Sequence, residues 1–175
     1  MMKTLHMANA EFLPVLCEYI AQGHSTTLRA RGNSMRPFVE NDRDEAILVS
    51  AKSYRVGDVV LAEISKGHYV LHRIDRITLN GKPLNTECSA PEAEIVLRGD
   101  GNVRGTEHCR MADVRGLCSH FVRNGKKWDL RTSRLWKIYS WYWTHTLFAR
   151  RYQLALYRLL FLGELPRRLR PQCCR

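Results

Sequence analysis

The feature that most constrains this chain is a series of short strand-like runs between residues 24 and 123: TTLRAR (26–31), EAILVS (45–50), DVVLAEI (58–64), HYVLHRIDRITL (68–79), AEIVLRG (93–99) and GLCSHFVR (116–123). Each is rich in β-branched or aromatic residues. Turn chemistry such as Gly57-Asp58, Lys66-Gly67, Asn80-Gly81 and Gly99-Asp100 separates them. Short strands at this spacing predict a mostly antiparallel, coiled β domain. Ahead of them, residues 9–22 read as a short amphipathic helix, with Leu13, Cys17 and Ile20 at near-helical spacing and Gly23 ending the run. No internal repeat is visible.

The 175 residues support one domain with a real core and an appendage, and a hydrophobic fraction of 45% argues against disorder. The net charge of +11 is unevenly placed. Residues 1–120 hold 15 Lys/Arg and 15 Asp/Glu, whereas residues 121–175 hold 13 Lys/Arg against Asp129 and Glu164. A neutral domain over 1–123 and a basic extension over 124–175 are therefore expected. Residues 132–162 change to a helical, aromatic pattern in which Lys137, Ser140, Thr144, Arg151 and Arg158 share roughly a third of the wheel. Arg150 interrupts it, which predicts two helices with a bend near residues 149–150.

Several classes are excluded or disfavoured. The apolar run FLPVLCEYI is broken by Glu18 and lacks the flanks of a secretory signal. The longest uncharged stretch of the tail, 138–149, is about 12 residues against the ~20 that a spanning helix needs. The expected location is cytoplasmic, with peripheral attachment to the inner face of the membrane left open. Six cysteines show no CxxC, and His108, Cys109, Cys118 and His120 fit no common zinc spacing, so reduced packing cysteines, no metal and no cofactor are expected. An anionic membrane surface is a candidate partner for residues 132–162, with arginines toward headgroups and Trp136, Tyr139, Trp141 and Trp143 at the boundary. The rival is a helical hairpin packed on the β domain or against a second copy, so homo-oligomerisation stays open. Nucleic-acid binding is disfavoured, because the tail carries no recognised motif.

The chemistry centres on RGNSMRPF (31–38). A serine hydroxyl is inert near neutral pH, so nucleophilic catalysis needs a base and a group that orients the base. Ser34 alone is ordinary turn chemistry. Downstream, VLHRI places His72 in a strand on the same face as Val70 and Ile74, and LRGDGN places Asp100 in a turn at a strand end. An imidazole suits a general base near neutral pH, and the Asp100 carboxylate could fix its tautomer.

In that order, GNSMRPF, VGDVVLAE, YVLHRI and VLRGDGN resemble the superfamily of signal peptidase I and the LexA-type self-cleaving serine peptidases, over about residues 24–120. Bacterial signal peptidases and LexA-type proteins carry a lysine base. His72-Arg73 followed by Gly99-Asp100-Gly101-Asn102 is similar to the endoplasmic-reticulum and archaeal-type pattern instead. The resemblance implies a coiled antiparallel β-sheet peptidase domain. It also implies Ser34 as nucleophile, His72 as base, Asp100 as orienter and the Ser34 N–H in the oxyanion hole. Met35, Pro37 and Gly32 would shape the substrate cleft, and the partner would be a peptide or protein cleaved at a leader, signal or propeptide segment. The chain departs from signal peptidases in lacking a spanning anchor, in Gly32 and Asn33 where many members carry further serines, and in its aromatic, basic last third. A self-cleaving LexA-type regulator is disfavoured. About 24 residues precede the first strand, and neither Ala-Gly nor Cys-Gly occurs in the chain. The alternative from another class is a non-catalytic peptide- or membrane-binding module on the same fold.

Overall fold

The structure, a computed structural model, describes residues 9–162. These form a mostly-β fold, with nine strands in one open, wholly antiparallel sheet plus three helices. Helix α1 (Asn9–Ala21) leads into β1 (Thr26–Arg29) and β2 (Glu45–Val49). The middle strands are β3 (Val59–Ser65), β4 (His68–Leu79), β5 (Lys82–Leu84) and β6 (Glu94–Arg98). After β7 (Glu107–Arg110), β8 (Val114–Arg123) and β9 (Lys126–Asp129) come helices α2 (Arg134–His145) and α3 (Arg150–Leu162). The strand order is β1-β2-β8-β3-β4-β6-β7, with β5 paired to β4 and β9 to β8.

The predicted elements fall where their patterns put them, and the helices break at 146–149 as expected. Three short strands were not anticipated: β5, β7 and β9. Two of them close tight Asn-Gly hairpins. Asn80-Gly81 and Asn124-Gly125 all take positive φ, as a two-residue hairpin turn of the primed type requires. The expected boundary after Arg123 falls inside the second hairpin, so the sheet continues to Asp129.

The sheet is covered on both faces, and β3 shows why. Its first four residues, Val59 to Ala62, are all buried. Val59 and Leu61 join one core with Ile20, Leu48, Cys118 and Phe121, while Val60 and Ala62 join another with Ile74, Ile95, Leu97 and Leu117. Each such fully buried aliphatic side chain stabilises the fold by roughly 1.5–3 kcal/mol relative to its exposed state. Trp143 of α2 and Leu154 of α3 belong to the first core. The aromatic tail is thus packed on the β domain through one side of each helix, as the hairpin reading expected.

Candidate active site

The Ser34 loop connects β1 to β2. Gly32 starts it with φ of 93°, a left-handed conformation open to glycine, and its N–H donates to Asn41 Oδ1 at 2.8 Å. Residues 34–38 then form a tight turn closed by Phe38 N–H on Met35 O and containing a cis Arg36–Pro37 bond. Met35 does not face a cleft as expected. Its side chain is buried in the first core with Phe38 and Val39, because the tight turn folds most of its side chains inward, and it acts as an anchor.

Further anchors are ionic. Arg36 pairs with buried Glu40, whose Oε2 also accepts from Tyr157 of α3. Asp44 receives Arg43 and Arg123 and the Glu40 N–H. Burial pushes the Asp44 carboxyl up, but these donors outweigh it and hold the group at about 2. Ser34 itself is half-buried. Its N–H takes no acceptor among the described residues, and its hydroxyl makes no hydrogen bond to them.

His72 sits in β4 opposite Val60 and points, with Ile74, toward the second core. It is 4% exposed. Its Nδ1 lies 2.9 Å from Glu107 Oε2 at the start of β7. A carboxylate only accepts, so this contact puts the proton on Nδ1 and leaves Nε2 with its lone pair.

The turn 99–102 brings this imidazole to the serine loop. Gly101 N–H donates to Ser34 O at 2.6 Å. A Cβ on Gly99 would meet Ser34 O at 2.5 Å and His72 Nε2 at 3.0 Å, and a Cβ on Gly101 would meet Asn33 O at 2.5 Å. Only glycine permits both approaches, since real Cβ atoms do not come so near a carbonyl oxygen. The Ser34 backbone and His72 Nε2 therefore flank the same point on Gly99, no farther apart than those two short distances laid end to end.

Asp100 lies in the turn after β6, as the sequence placed it, but its partner is different. It does not bond His72. Both its oxygens accept from Arg73, Nε to Oδ1 and NH2 to Oδ2, each at 2.8 Å. The reason is the alternation of β4: His72 and Arg73 are adjacent, so they leave the strand on opposite faces. The carboxylate on the imidazole is Glu107 instead. Arg73 also donates to Gly57 O at 2.8 Å and Ser140 Oγ at 3.0 Å, and it lies against Phe38 and Trp136. Trp143 Nε1 donates to Asp100 O at 3.0 Å, and buried Arg150 reaches Asn102 O at 3.3 Å. The tail helices thus hold the rear of the turn that touches Ser34.

Glu107 was missed because β7 was missed. Its sequence, Glu-His-Cys-Arg, has no apolar alternation, and only its pairing of Glu107 with Leu97 on β6 reveals it as a strand. Among the described residues, no group of three or more His, Cys, Asp or Glu side chains could hold a metal ion. Burial raises the thiols of Cys17 and Cys109 to about 11 each, so these cysteines are poor nucleophiles near neutral pH. Comparison with known protein families and with curated proteins finds no match for this chain.

Proposed function

We propose that the chain is a serine endopeptidase of the signal-peptidase-like superfamily, acting on a leader, signal or propeptide segment held as an extended strand. Ser34 is the nucleophile, His72 the general base and Glu107 the group that orients the base. The observation that carries this reading is the close approach at Gly99, which sets Ser34 beside His72 Nε2 while Nδ1 is tied to a carboxylate. The coiled, mostly-β sheet suits the LexA and signal-peptidase type of domain that the four sequence boxes resemble.

In the reaction, His72 Nε2 takes the proton of Ser34 Oγ as that oxygen attacks the scissile carbonyl carbon. The oxyanion is met by the unengaged Ser34 N–H. The imidazolium, stabilised by Glu107, then protonates the leaving amine, and water releases the acyl group by the reverse route. The Ser34–His72 hydrogen bond forms as substrate excludes water, since such bonds are commonly loose in resting sites. Asp100 acts through Arg73 as scaffold. An extended peptide would add to a free strand edge. The two end strands of the main order adjoin the site: β1 leads into the Ser34 loop and β7 begins at Glu107.

A second reading, a peptide-binding module without activity, is favoured by the Ser34 hydroxyl, which makes no bond to His72. Two measurements separate the readings: mass-spectrometric detection of new termini in a peptide mixture, and labelling by a serine-reactive phosphonate. Cleavage and labelling by the wild type, both lost in Ser34→Ala, are expected. Equal behaviour of wild type, Ser34→Ala and His72→Ala ends the enzyme reading.

A further inference from the structure

The inner sides of α2 and α3 are used up by the β domain; their outer sides are not. Trp136, Ser140 and Trp143 turn toward Phe38 and Arg73, and Leu154 and Tyr157 turn toward the loop anchors. Opposite them stand Ile138, Trp141, Phe148, Tyr152, Leu156 and Leu160, all exposed, with Trp141 at 62% and Phe148 at 83%. On α3 the spacing 152, 156, 160 is one continuous stripe. An uncovered apolar face of this kind marks an interaction site.

The charge around that face selects the partner. Residues 130–163 contain no Asp or Glu. Arg134, Lys137 and Arg151 are exposed beside the aromatic side chains. A second copy would set this basic surface against itself, since a two-fold interface brings the same patch of both copies together. An anionic bilayer complements it, with Trp and Tyr at the headgroup level and each nearby Lys or Arg adding attraction. Neither helix can cross a membrane: they have 12 and 13 residues, and no described helix is long and apolar enough. The hairpin would therefore lie in the plane of the interface.

We propose that the outer face of the α2–α3 hairpin docks on the surface of an anionic lipid bilayer. The inserting residues are Trp141, Phe148 and Tyr152. Of the four aromatic residues the sequence assigned to the boundary, Trp136 and Trp143 face the protein instead. Docking does not depend on whether Ser34 is active.

Vesicle co-sedimentation of the full chain tests it, comparing phosphatidylcholine vesicles with vesicles containing about 30% phosphatidylglycerol, the lipid that supplies the negative surface. Strong pelleting with the anionic vesicles only is expected. The double variant Trp141→Ser/Phe148→Ser should lower the partition coefficient roughly tenfold or more, because it removes two apolar anchors from the interface. Lys137→Glu/Arg151→Glu should lower it comparably, and added salt should weaken wild-type binding. All four positions are exposed, and unchanged circular dichroism and thermal unfolding would verify that the fold is intact. Wild-type pelleting that is absent, or equal on neutral and anionic vesicles, overturns the proposal. So does loss of a dimer in analytical ultracentrifugation, rather than of vesicle binding, when Trp141 and Phe148 are replaced.

Discussion

His72 and Arg73 are chain neighbours that leave β4 on opposite faces, and each meets a carboxylate. The two pairs are built to opposite ends. Arg73 and Asp100 are both about 2% exposed, joined by two parallel hydrogen bonds, and each of the three guanidinium nitrogens donates to a fixed acceptor. Such a pair is closed: it positions the turn 99–102 and has nothing left to exchange. The His72–Glu107 pair is joined by one contact, and its Glu107 side chain is 28% exposed. It leaves Nε2 aimed at the Ser34 loop. A buried ion pair that is fully satisfied resists change, whereas a single hydrogen bond at the edge of solvent can follow a proton.

The largest effects should separate the two faces. His72→Gln is expected to reduce kcat/KM on the order of 10⁶-fold, the scale seen when a catalytic base is removed, while folding stability changes by about 1 kcal/mol, the worth of one hydrogen bond. Arg73→Met should do the reverse. It strands the Asp100 charge in the core, a defect that costs about 3–5 kcal/mol when one partner of a buried pair is removed. Urea denaturation of both variants, beside peptide cleavage at a temperature where each is folded, gives the comparison. A His72→Gln variant that is as active as wild type would erase the distinction between the faces.

Much of this contrast was readable in the chain, and the unread part has specific causes. The alternation Val70, His72, Ile74 correctly turns His72 to one face of β4. The same alternation applied to Arg73 would have pulled Asp100 away from the imidazole, but the order of the sequence boxes favoured a Ser-His-Asp series. Glu107 lies on an edge strand whose charged composition blunts the edge and hides the strand together. β9 was legible in principle, since Asn124-Gly125 is a strong hairpin signal. The tail posed a different difficulty. Its wheel is aromatic on more than one side, and periodicity cannot tell which aromatic side chain meets Phe38 and which meets solvent.

A smaller effect sharpens the open pair. Glu107→Gln keeps shape but lets an amide N–H face Nδ1, which favours the tautomer with its proton on Nε2, pointed at Ser34. A loss of roughly 10²-fold in kcat/KM or more is expected, less than for a fully buried orienting carboxylate because solvent reaches Glu107. Glu107→Asp should recover part of it, and a change in the acid limb of the pH–rate profile should accompany the loss. Unchanged rates and an unchanged pH profile in Glu107→Gln would reduce Glu107 to a packing neighbour.

The smallest effect tests the closed type of pairing at a second position, where pH reports it directly. Asp44 anchors the far end of the Ser34 loop and is held at about 2, below its ordinary value of 3.8, by Arg43, Arg123 and the Glu40 N–H overcoming the cost of burial. A carboxyl with a lowered folded-state pKa stabilises the fold fully above its ordinary value and loses that contribution as pH falls through the folded one. The window is therefore about pH 4 down to about pH 2, and the loss across it is about 2 kcal/mol. Other carboxyls titrate there too, so the informative quantity is the difference between wild type and Asp44→Asn. Urea denaturation at pH 5 should show a gap between them that narrows by about 2 kcal/mol toward pH 2, as the wild-type group protonates and comes to resemble the amide. A gap that stays constant across the window would mean that Asp44 is not held as a closed carboxylate, and that the loop carrying Ser34 is fixed by its other anchors, buried Met35 and Phe38 and the Arg36–Glu40 pair.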